Sequence, residues 1–425
     1  MYCGSCFRDN ALAAELMTRG HAVTLLPLYT PTRTDERNVS AHRVHFGGIS
    51  VYLQQHSPFF RKTPWLLDRL WDAPGVIRAF ASRAASTDAR LLGDLTVSML
   101  RGRDGVLRKE FDKLTDWMLD EPTPDVINLP NSLLIGLAEP LRQAVARPVC
   151  CTLQGEELFL HGLAAPYRET ALALIREQVR HVDRFIAVSE YCAAFMSDFL
   201  GIPAARISVV PLGISMGGYA RRQDTREEFR VGYFARVAPE KGLHVLADAY
   251  IRLRRRTGRA RIILEAAGHL ASTHTAYLND VRRTLDRAGL GGEFTYRGEL
   301  DRAGKLAFLR DLDVLSVPAT YDEPKGMFLL EAMASGVPSV QPRRGGFTEI
   351  IERTGGGLLV PPDDAEALSE AIESLWSNRG RARTLGDRAY AGVRAHHTIA
   401  QSADRLLAVY RSIAADSAPV DESVA

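Results

Sequence analysis

Residues 314–340 have the sequence VLSVPATYDEPKGMFLLEAMASGVPSV. The apolar run at 314–317 predicts a buried strand, residues 326–334 predict a helix, and residues 339–340 predict a second short strand. A strand, a helix and a strand in this order form a βαβ unit, whose two strands run parallel. Parallel sheets bind ligands at the carboxyl ends of their strands, and here a polar loop follows the first strand. The segment therefore predicts an α/β fold and the place of a site.

The same alternation of short apolar runs and longer amphipathic runs extends through the rest of the chain. In the C-terminal half it predicts strands at 230–234, 261–265, 294–296 and 357–360, and helices at 240–256 and 275–288. In the N-terminal half it predicts helices at 7–19 and from Ser189, as the N-cap, to about residue 200, and strands at 22–28, 125–129, 149–153 and 184–188. Repeated βαβ units indicate mainly parallel sheets, so we expect two doubly wound, Rossmann-like domains.

The composition changes at 211–226, where Pro, Gly and Ser residues are followed by a charged run. We therefore predict an N-terminal domain at 1–212 and a second domain at 213–396. A C-terminal segment at 397–425 is predicted to hold a helix that packs back on the first domain, followed by a flexible tail. The first predicted helix begins near residue 7, whereas a doubly wound domain normally opens with a central strand. We expect an N-terminal strand to be missing; an unusual domain is the alternative.

The composition excludes several classes of protein. Of the 425 residues, 46% are hydrophobic and 24% are charged, as in globular proteins that bury large cores, so a wholly disordered chain is excluded. The net charge of +2 gives no reason to expect nucleic acid as a partner. No apolar run approaches the roughly 18 residues of a spanning helix, and the N-terminus lacks the pattern of a signal peptide. Five sparse cysteines favour a reducing cytoplasm.

Two carboxylates lie around the helix start predicted at residue 326. Glu323 lies in the loop before it, and Glu331 lies eight positions later, inside the helix. Helix N-termini attract anions through their free N–H groups and the helix dipole. Carboxylates on either side of such a start suit the hydroxyl groups at the two ends of an extended ligand with an anionic centre. The alternative is that both are ordinary charged residues of a loop and a helix surface.

Two further loops hold candidate ligand-binding residues. Arg236 and Lys241 follow the strand at 230–234, where a guanidinium and an ammonium group suit a diphosphate; a plain surface loop is the alternative. Gly345 and Gly346 precede another short helix, and paired glycines allow a ligand to approach the backbone closely. A simple turn is the alternative for the glycine pair.

Together these motifs resemble glycosyltransferase family 4, the retaining enzymes of the GT-B architecture. The resemblance implies two Rossmann-like, doubly wound domains that face a cleft. The resemblance rests on RVAPEKG at 236–242, on EPKG-x4-EAMA-x-G-x-P at 323–338 and on GG-x-x-E at 345–349. It covers essentially the whole chain and is most specific at 228–362. It implies a hexosyltransferase that moves a sugar from a nucleoside-diphosphate sugar to an acceptor hydroxyl with retention of configuration. It also implies that no metal and no other cofactor is required.

The resemblance assigns roles to individual positions. Arg236 and Lys241 would hold the diphosphate, Glu331 the ribose hydroxyls and Glu323 the hydroxyls of the transferred sugar, which makes Glu323, Arg236 and Lys241 the candidate catalytic residues. The remaining donor-binding residues lie at two helix starts: Lys325, Gly326, Met327, Phe328, Gly345 and Gly346. The acceptor-binding residues would lie in two loops of the first domain: Gly4, Gln154, Gly155 and Glu156.

Three positions depart from the family pattern. Family members commonly have a His in the loop after the strand at 149–153, where this chain has Gln154, Gly155 and Glu156. The aromatic residue often found after the proline of the E-P motif is Lys325 here. The glycine-rich loop after the first strand of the family corresponds to residues 1–5, so the expected missing strand lies beside the proposed cleft.

The sequence leaves the acceptor, the surface partners and three alternative functions open. The acceptor is a glycan, a lipid-linked sugar or a small molecule. Residues 56–80 predict a helix packed on its own domain, with an acceptor-site or membrane-surface element as the alternative. The arginines of 252–261 predict a solvated surface, with a peripheral contact to anionic lipid of the inner membrane surface as the alternative. Cys3 and Cys6 have the spacing of a redox or metal site, but no second pair follows them, so incidental thiols are favoured. The alternative functions are a GT-B sugar-nucleotide epimerase or phosphorylase, and a nucleotide-sugar-binding protein without turnover.

Overall fold

The computed structural model describes residues 4–29, 89–221, 227–258 and 260–416, together with residues 32, 34–41, 44 and 46. The chain divides into two compact units. Of the described residues, those between 4 and 210 and those of 403–416 form the first unit, and those between 211 and 402 form the second. The sequence predicts these boundaries at 212/213 and 396/397.

The first unit contains a parallel sheet with helices around it. Its elements are α1 (Gly4–Thr18), α2 (Ala89–Leu100), α3 (Arg108–Asp120), β1 (Ile127–Leu129), α4 (Ala138–Val145), β2 (Val149–Leu153), α5 (Glu157–Gly162), α6 (Ala165–Gln178), β3 (Arg184–Ala187), α7 (Glu190–Leu200) and β4 (Ile207–Val209). The four strands pair in parallel in the order β1-β2-β3-β4. The predicted cap of α7 is confirmed, because Ser189 Oγ accepts a hydrogen bond from the Cys192 amide at 3.1 Å.

The strand predicted at 22–28 is wrong. Its carbonyl groups are used individually, with Leu25 accepting from the Ala41 amide and Leu28 from the Phe46 amide, both at 2.8 Å. Within the described residues, the segment joins no sheet. An apolar run predicts burial, but a strand forms only where a neighbouring strand supplies the hydrogen-bonding ladder.

The second unit is a doubly wound α/β domain. Its elements are β5 (Phe229–Phe234), α8 (Leu243–Thr257), β6 (Ile262–Ala267), α9 (Thr275–Arg287), β7 (Phe294–Tyr296), α10 (Arg302–Arg310), β8 (Val314–Leu315), α11 (Met327–Ala334), β9 (Ser339–Pro342), α12 (Gly345–Thr354), β10 (Gly357–Val360), α13 (Ala365–Ser377) and α14 (Arg379–His396). All six strands are parallel, in the order β10-β9-β8-β5-β6-β7. The order reverses between β5 and β8, and such a switch point opens a ligand crevice at the carboxyl ends of the strands.

The helix predicted from residue 240 begins later, at Leu243. A short 3₁₀ turn, Pro239–Lys241, comes first, and Gly242 with φ of 73° separates the two. A Cβ atom on Gly242 would collide with the carbonyl oxygen of Pro318, so the loop after β5 lies directly against the loop after β8. This close approach brings the two loops with candidate ligand-binding residues together.

The last helix, α15 (Ile399–Asp416), continues from the second unit into the first. At its start, Thr398 and Ile214 form a parallel bridge and the buried His397 ring nitrogen Nδ1 lies 2.9 Å from Leu212 O. Further along, Leu406 and Ile413 are buried, and Asp404 pairs with Arg19 of α1 at 2.5 Å. Among the described helices, none has the length and apolar character needed to cross a membrane.

Candidate functional site

The candidate site of the second unit is built at the switch point of its sheet. The loop after β5 holds Arg236 and Lys241, and the loop after β8 holds residues 316–326. Since β5 and β8 are parallel neighbours, both loops leave the same edge of the sheet. The Thr320 amide donates to Glu240 O at 3.0 Å and fixes one loop against the other.

Lys241 and Glu323, predicted separately, lie in direct contact. Lys241 Nζ donates to Glu323 Oε2, and both side chains are largely buried, at 12% and 4% exposed. Tyr321 completes the contact: its hydroxyl accepts from Lys241 Nζ at 2.7 Å and donates to the same Glu323 oxygen. The Lys241 ammonium also lies 5.0 Å from the centre of the Tyr321 ring and 6.0 Å from that of Phe328. We call Lys241, Tyr321 and Glu323 the lysine–tyrosine–glutamate cluster.

The cluster keeps the Glu323 carboxylate ionised. Burial by itself would raise the pKa of Glu323, but the Lys241 ammonium, the Tyr321 hydroxyl and the nearby Lys325 charge outweigh it, so the pKa lies below its ordinary value. In the described part of the chain, Glu323 Oε1 accepts no hydrogen bond, because both donors use Oε2. The carboxylate is therefore charged and has one oxygen available for a ligand.

Arg236 lies on the same loop but not in that cluster. Its Nη2 donates to Glu240 Oε1 at 2.6 Å, and the side chain is 44% exposed. A half-exposed guanidinium held by one surface carboxylate can turn toward a ligand at little cost, because exposed ion pairs contribute little free energy. The structure therefore places Arg236 beside Lys241 on the loop without bringing the two side chains into one contact.

The start of α11 follows Glu323 directly. Gly326 is the N-cap residue with φ of 84°, and Met327 and Phe328 begin the helix. Gly345 and Gly346 lie against this loop: the Gly346 amide donates to Glu323 O at 2.8 Å, and a Cβ atom on Gly345 would collide with the same oxygen. The paired glycines therefore let the start of α12 pack on the backbone of the Glu323 loop.

Glu331 lies in a second cluster on α11. Its Oε1 accepts from Lys305 Nζ at 2.6 Å and from Tyr219 Oη at 3.0 Å. The Lys305 and Glu331 side chains are 7% and 14% exposed, and Arg302 packs its guanidinium 4.8 Å from the centre of the Tyr219 ring. Glu331 Oε2 has no hydrogen-bond donor among the described residues. In each carboxylate of the predicted pair, one oxygen accepts a hydrogen bond from a lysine and the other has no donor among the described residues.

The loops of the first unit use their polar atoms internally. Glu156 Oε1 accepts from the Ser132 amide at 2.9 Å, and its Oε2 accepts from the Gln154 amide at 2.8 Å. Gln154 Nε2 donates to Pro130 O at 2.8 Å, while its buried Oε1 has no partner in the described chain. Gly155 has φ of 93° and allows this sharp turn. Glu156 therefore braces the loops after β1 and β2, and Gln154 Oε1 can accept a hydrogen bond from a ligand.

Other predicted features lie outside the two carboxylate clusters or outside the described residues. Gly4 opens α1, and a Cβ atom there would meet no atom of the described residues within 4 Å. In the arginine run, Arg252 and Arg256 pair with Glu366 of α13, and Arg254 pairs with Glu293, so this face is an ion-pair network within the second unit. Cys3, Arg259 and residues 56–80 lie outside the described residues.

Sequence reasoning missed Tyr321, Lys305 and Tyr219. Tyr321 precedes the Asp-Glu-Pro motif by one position and could have been noticed as an aromatic hydroxyl in a polar loop. Lys305 gives no sequence signal beyond its place on an amphipathic helix, since its partner lies 26 positions away.

Comparison with protein families gives the assignment. The family described as "Glycosyl transferases group 1" matches residues 221–392, and the one described as "Glycosyl transferase 4-like domain" matches residues 10–213. The two matches together span most of the chain. The protein belongs to glycosyltransferase family 4.

Relatives and solved structures agree with membership in family 4. LpsB of Rhizobium meliloti, a lipopolysaccharide core biosynthesis mannosyltransferase, is 29% identical over 55% of this chain and 67% of its own length. The GDP-mannose-dependent α-(1-6)-phosphatidylinositol monomannoside mannosyltransferase of Mycobacterium tuberculosis is 26% identical over 59% of this chain and 66% of its own length. The chain therefore matches about two thirds of the length of these relatives.

The GT-B fold predicted for this family 4 chain is confirmed by two solved structures. Anabaena HepE, crystallised with UDP and glucose, superposes with a TM-score of 0.62 at 20% identity, over 72% of this chain and 83% of HepE. Sucrose-phosphate synthase from Thermosynechococcus elongatus gives 0.62 at 22% identity, over 73% of this chain and 79% of the synthase.

Proposed function

We propose that this protein is a glycosyltransferase that moves a hexose from a nucleoside-diphosphate sugar to an acceptor hydroxyl. The observation that supports this most directly is the pair of carboxylates on the α11 segment. Glu323 before the helix and Glu331 within it are each charge-paired with a buried lysine, and each keeps one oxygen free. The two carboxylates therefore lie on either side of the start of α11, an arrangement that suits a ribose and a sugar joined by a diphosphate.

The proposed roles follow from the chemistry of each group. Lys241, Arg236 and the start of α11 hold the diphosphate, with Lys325 beside it, and stabilise the charge that develops on the leaving group. Glu331 accepts from the ribose and Glu323 from the sugar. Because these cations stand where the leaving charge forms, we propose that the reaction proceeds without a divalent metal. Retention of configuration is part of the proposal, as expected for family 4.

The donor and acceptor are proposed by analogy with the relatives. The Rhizobium relative is named for lipopolysaccharide core biosynthesis, and the Mycobacterium relative is named as a GDP-mannose-dependent phosphatidylinositol monomannoside mannosyltransferase. We take GDP-mannose as the first donor to test, with UDP-glucose second. The first unit is proposed to hold a glycan or lipid-linked acceptor, with Gln154 Oε1 accepting one of its hydroxyl groups.

Calorimetric titration with GDP, UDP and ADP, in buffer without metal, tests the donor site. We expect saturable binding of one of them, unchanged by EDTA. Incubation of the matching nucleotide sugar with and without acceptors then tests the reaction. A glycosylated product that requires acceptor supports transfer, whereas an altered sugar nucleotide without acceptor supports epimerisation. A folded protein that binds none of the three diphosphates contradicts the proposal.

A further inference from the structure

In the lysine–tyrosine–glutamate cluster, two residues that are proposed to bind different parts of the nucleotide sugar contact each other. Lys241 is proposed to hold the diphosphate and Glu323 to bind the sugar, yet in the structure these two groups are bonded to each other. A diphosphate carries more negative charge than one carboxylate, so a bound donor competes for the Lys241 ammonium. When the Lys241 ammonium turns toward the bound nucleotide sugar, the hydrogen bond that it donates to Glu323 Oε2 is lost.

Tyr321 can hold the Glu323 carboxylate after Lys241 has moved to the diphosphate. Its hydroxyl accepts from Lys241 Nζ and donates to Glu323 Oε2, so it contacts both partners of the ion pair. The donated hydrogen bond does not depend on Lys241. It fixes the carboxylate plane by one oxygen and leaves Oε1 free for a sugar hydroxyl.

We propose that Tyr321 is a positioning residue that holds the Glu323 carboxylate for the donor sugar while Lys241 is transferred to the diphosphate. The inference rests on the proposed function and deepens it. Tyr321 acts through Glu323 and contacts no reacting atom. Its ring has a second use, because the Lys241 ammonium lies 5.0 Å from the ring centre and is kept close to the site.

The Tyr321→Phe variant separates the hydroxyl from the ring. The probes are the nucleoside diphosphate selected by the screen and its hexose conjugate, for example GDP and GDP-mannose. The ratio of their dissociation constants measures what the sugar adds to binding. Since a hydrogen bond to a charged group is involved, we expect Tyr321→Phe to lower this ratio about tenfold, with the affinity for the diphosphate changed less than about threefold.

Two further readouts distinguish positioning from a general structural role. The pKa of Glu323 should rise when the Tyr321 hydroxyl is removed, although Lys241 and Lys325 still face it, so the acid limb of sugar-dependent binding should move to higher pH. The matched control is Tyr250→Phe, which removes a buried hydroxyl bonded to Ile262 O at 2.7 Å in the same unit. Tyr250→Phe should lower stability and leave the ratio unchanged.

A second variant keeps the inference testable if Tyr321→Phe folds poorly. Lys241→Met should weaken binding of the diphosphate and keep the ratio, because Tyr321 still holds Glu323. A ratio that collapses in Lys241→Met, or one that stays constant in Tyr321→Phe while both affinities fall together, overturns the role given to Tyr321. Wild-type protein that binds no diphosphate instead refutes the proposed function, and the two failures are thereby distinguished.

Discussion

Replacing Glu331 with Gln tests the carboxylate proposed to bind the donor ribose. Glu331 is 14% exposed, and its Oε1 accepts from Lys305 Nζ at 2.6 Å and from Tyr219 Oη at 3.0 Å. Gln retains the size and one carbonyl oxygen but removes the charge, so the buried Lys305 loses its counter-ion. We expect both a less stable protein and a weaker preference for ribonucleotides over deoxyribonucleotides.

The size of each effect follows from the burial of the pair. Removing one partner of a buried ion pair outright costs about 3–5 kcal/mol of stability. Because the amide oxygen of Gln still accepts from Lys305, we expect a smaller loss, about 1–3 kcal/mol in the free energy of unfolding. A ribose hydroxyl that donates to a carboxylate contributes about 1.5–3 kcal/mol, or about 10- to 150-fold in Kd.

The assay combines urea unfolding with calorimetric titration of a nucleoside diphosphate and its 2′-deoxy analogue. The wild type should prefer the ribonucleotide at least tenfold, and Glu331→Gln should lose most of this preference. Glu366→Gln is the matched control, since Glu366 is an exposed carboxylate between Arg252 and Arg256 and should affect neither quantity appreciably. If Glu331→Gln weakens both ligands equally and keeps the preference, Glu331 does not read the ribose.

Three further predictions concern the other parts of the donor site. Lys241→Ala should weaken binding of the nucleoside diphosphate at least tenfold and that of the free nucleoside hardly at all, by calorimetry; an equal loss for both would remove Lys241 from the phosphate site. Gly345→Ala should lower the free energy of unfolding by about 1–3 kcal/mol, because φ is 52° and the new Cβ meets Glu323 O, whereas Gly380→Ala near the start of α14, at ordinary φ, should be neutral. Since the pKa of Glu323 lies below its ordinary value of 4.5, the stability contributed by its ionised form is present above pH 4.5 and is lost as the pH falls through the lowered pKa. The difference in stability between wild type and Glu323→Gln should therefore shrink in acid, and a difference that is constant with pH would contradict this.

The sequence predicted the second unit well because its signals are local. The order strand, loop, helix is confirmed for residues 314–340, with the helix at Met327–Ala334 after Gly326, although the strand covers only Val314–Leu315 of the predicted 314–317. Gly, Pro and apolar periodicity act over a few residues, so a single sequence suffices to find them. The late start of α8 was missed because it depends on a contact between Gly242 and Pro318, which are distant in the sequence.

The contacts within the site could not be predicted. Lys241 and Glu323 were both identified, but as ligands for different parts of a donor, and their direct pairing joins residues 82 positions apart. Lys305 could not be identified from the sequence for the same reason, because its partner Glu331 lies 26 positions away. The strand at 22–28 shows the opposite limit, since its apolar sequence is compatible with a strand and no neighbouring strand in the described chain pairs with it.

The final helix has a consequence for the biogenesis of the protein. Leu406 and Ile413 are buried and Asp404 is bonded to Arg19, so the first compact unit contains both the earliest and the last described residues of the chain. Domains made of one continuous segment can fold as they leave the ribosome, the N-terminal one first. Here the second unit is contiguous and can complete its core during translation, whereas the first must wait with exposed apolar surface until α15 has been synthesised. Nascent chains stalled before residue 403 should therefore depend on chaperones to keep their N-terminal half from aggregating.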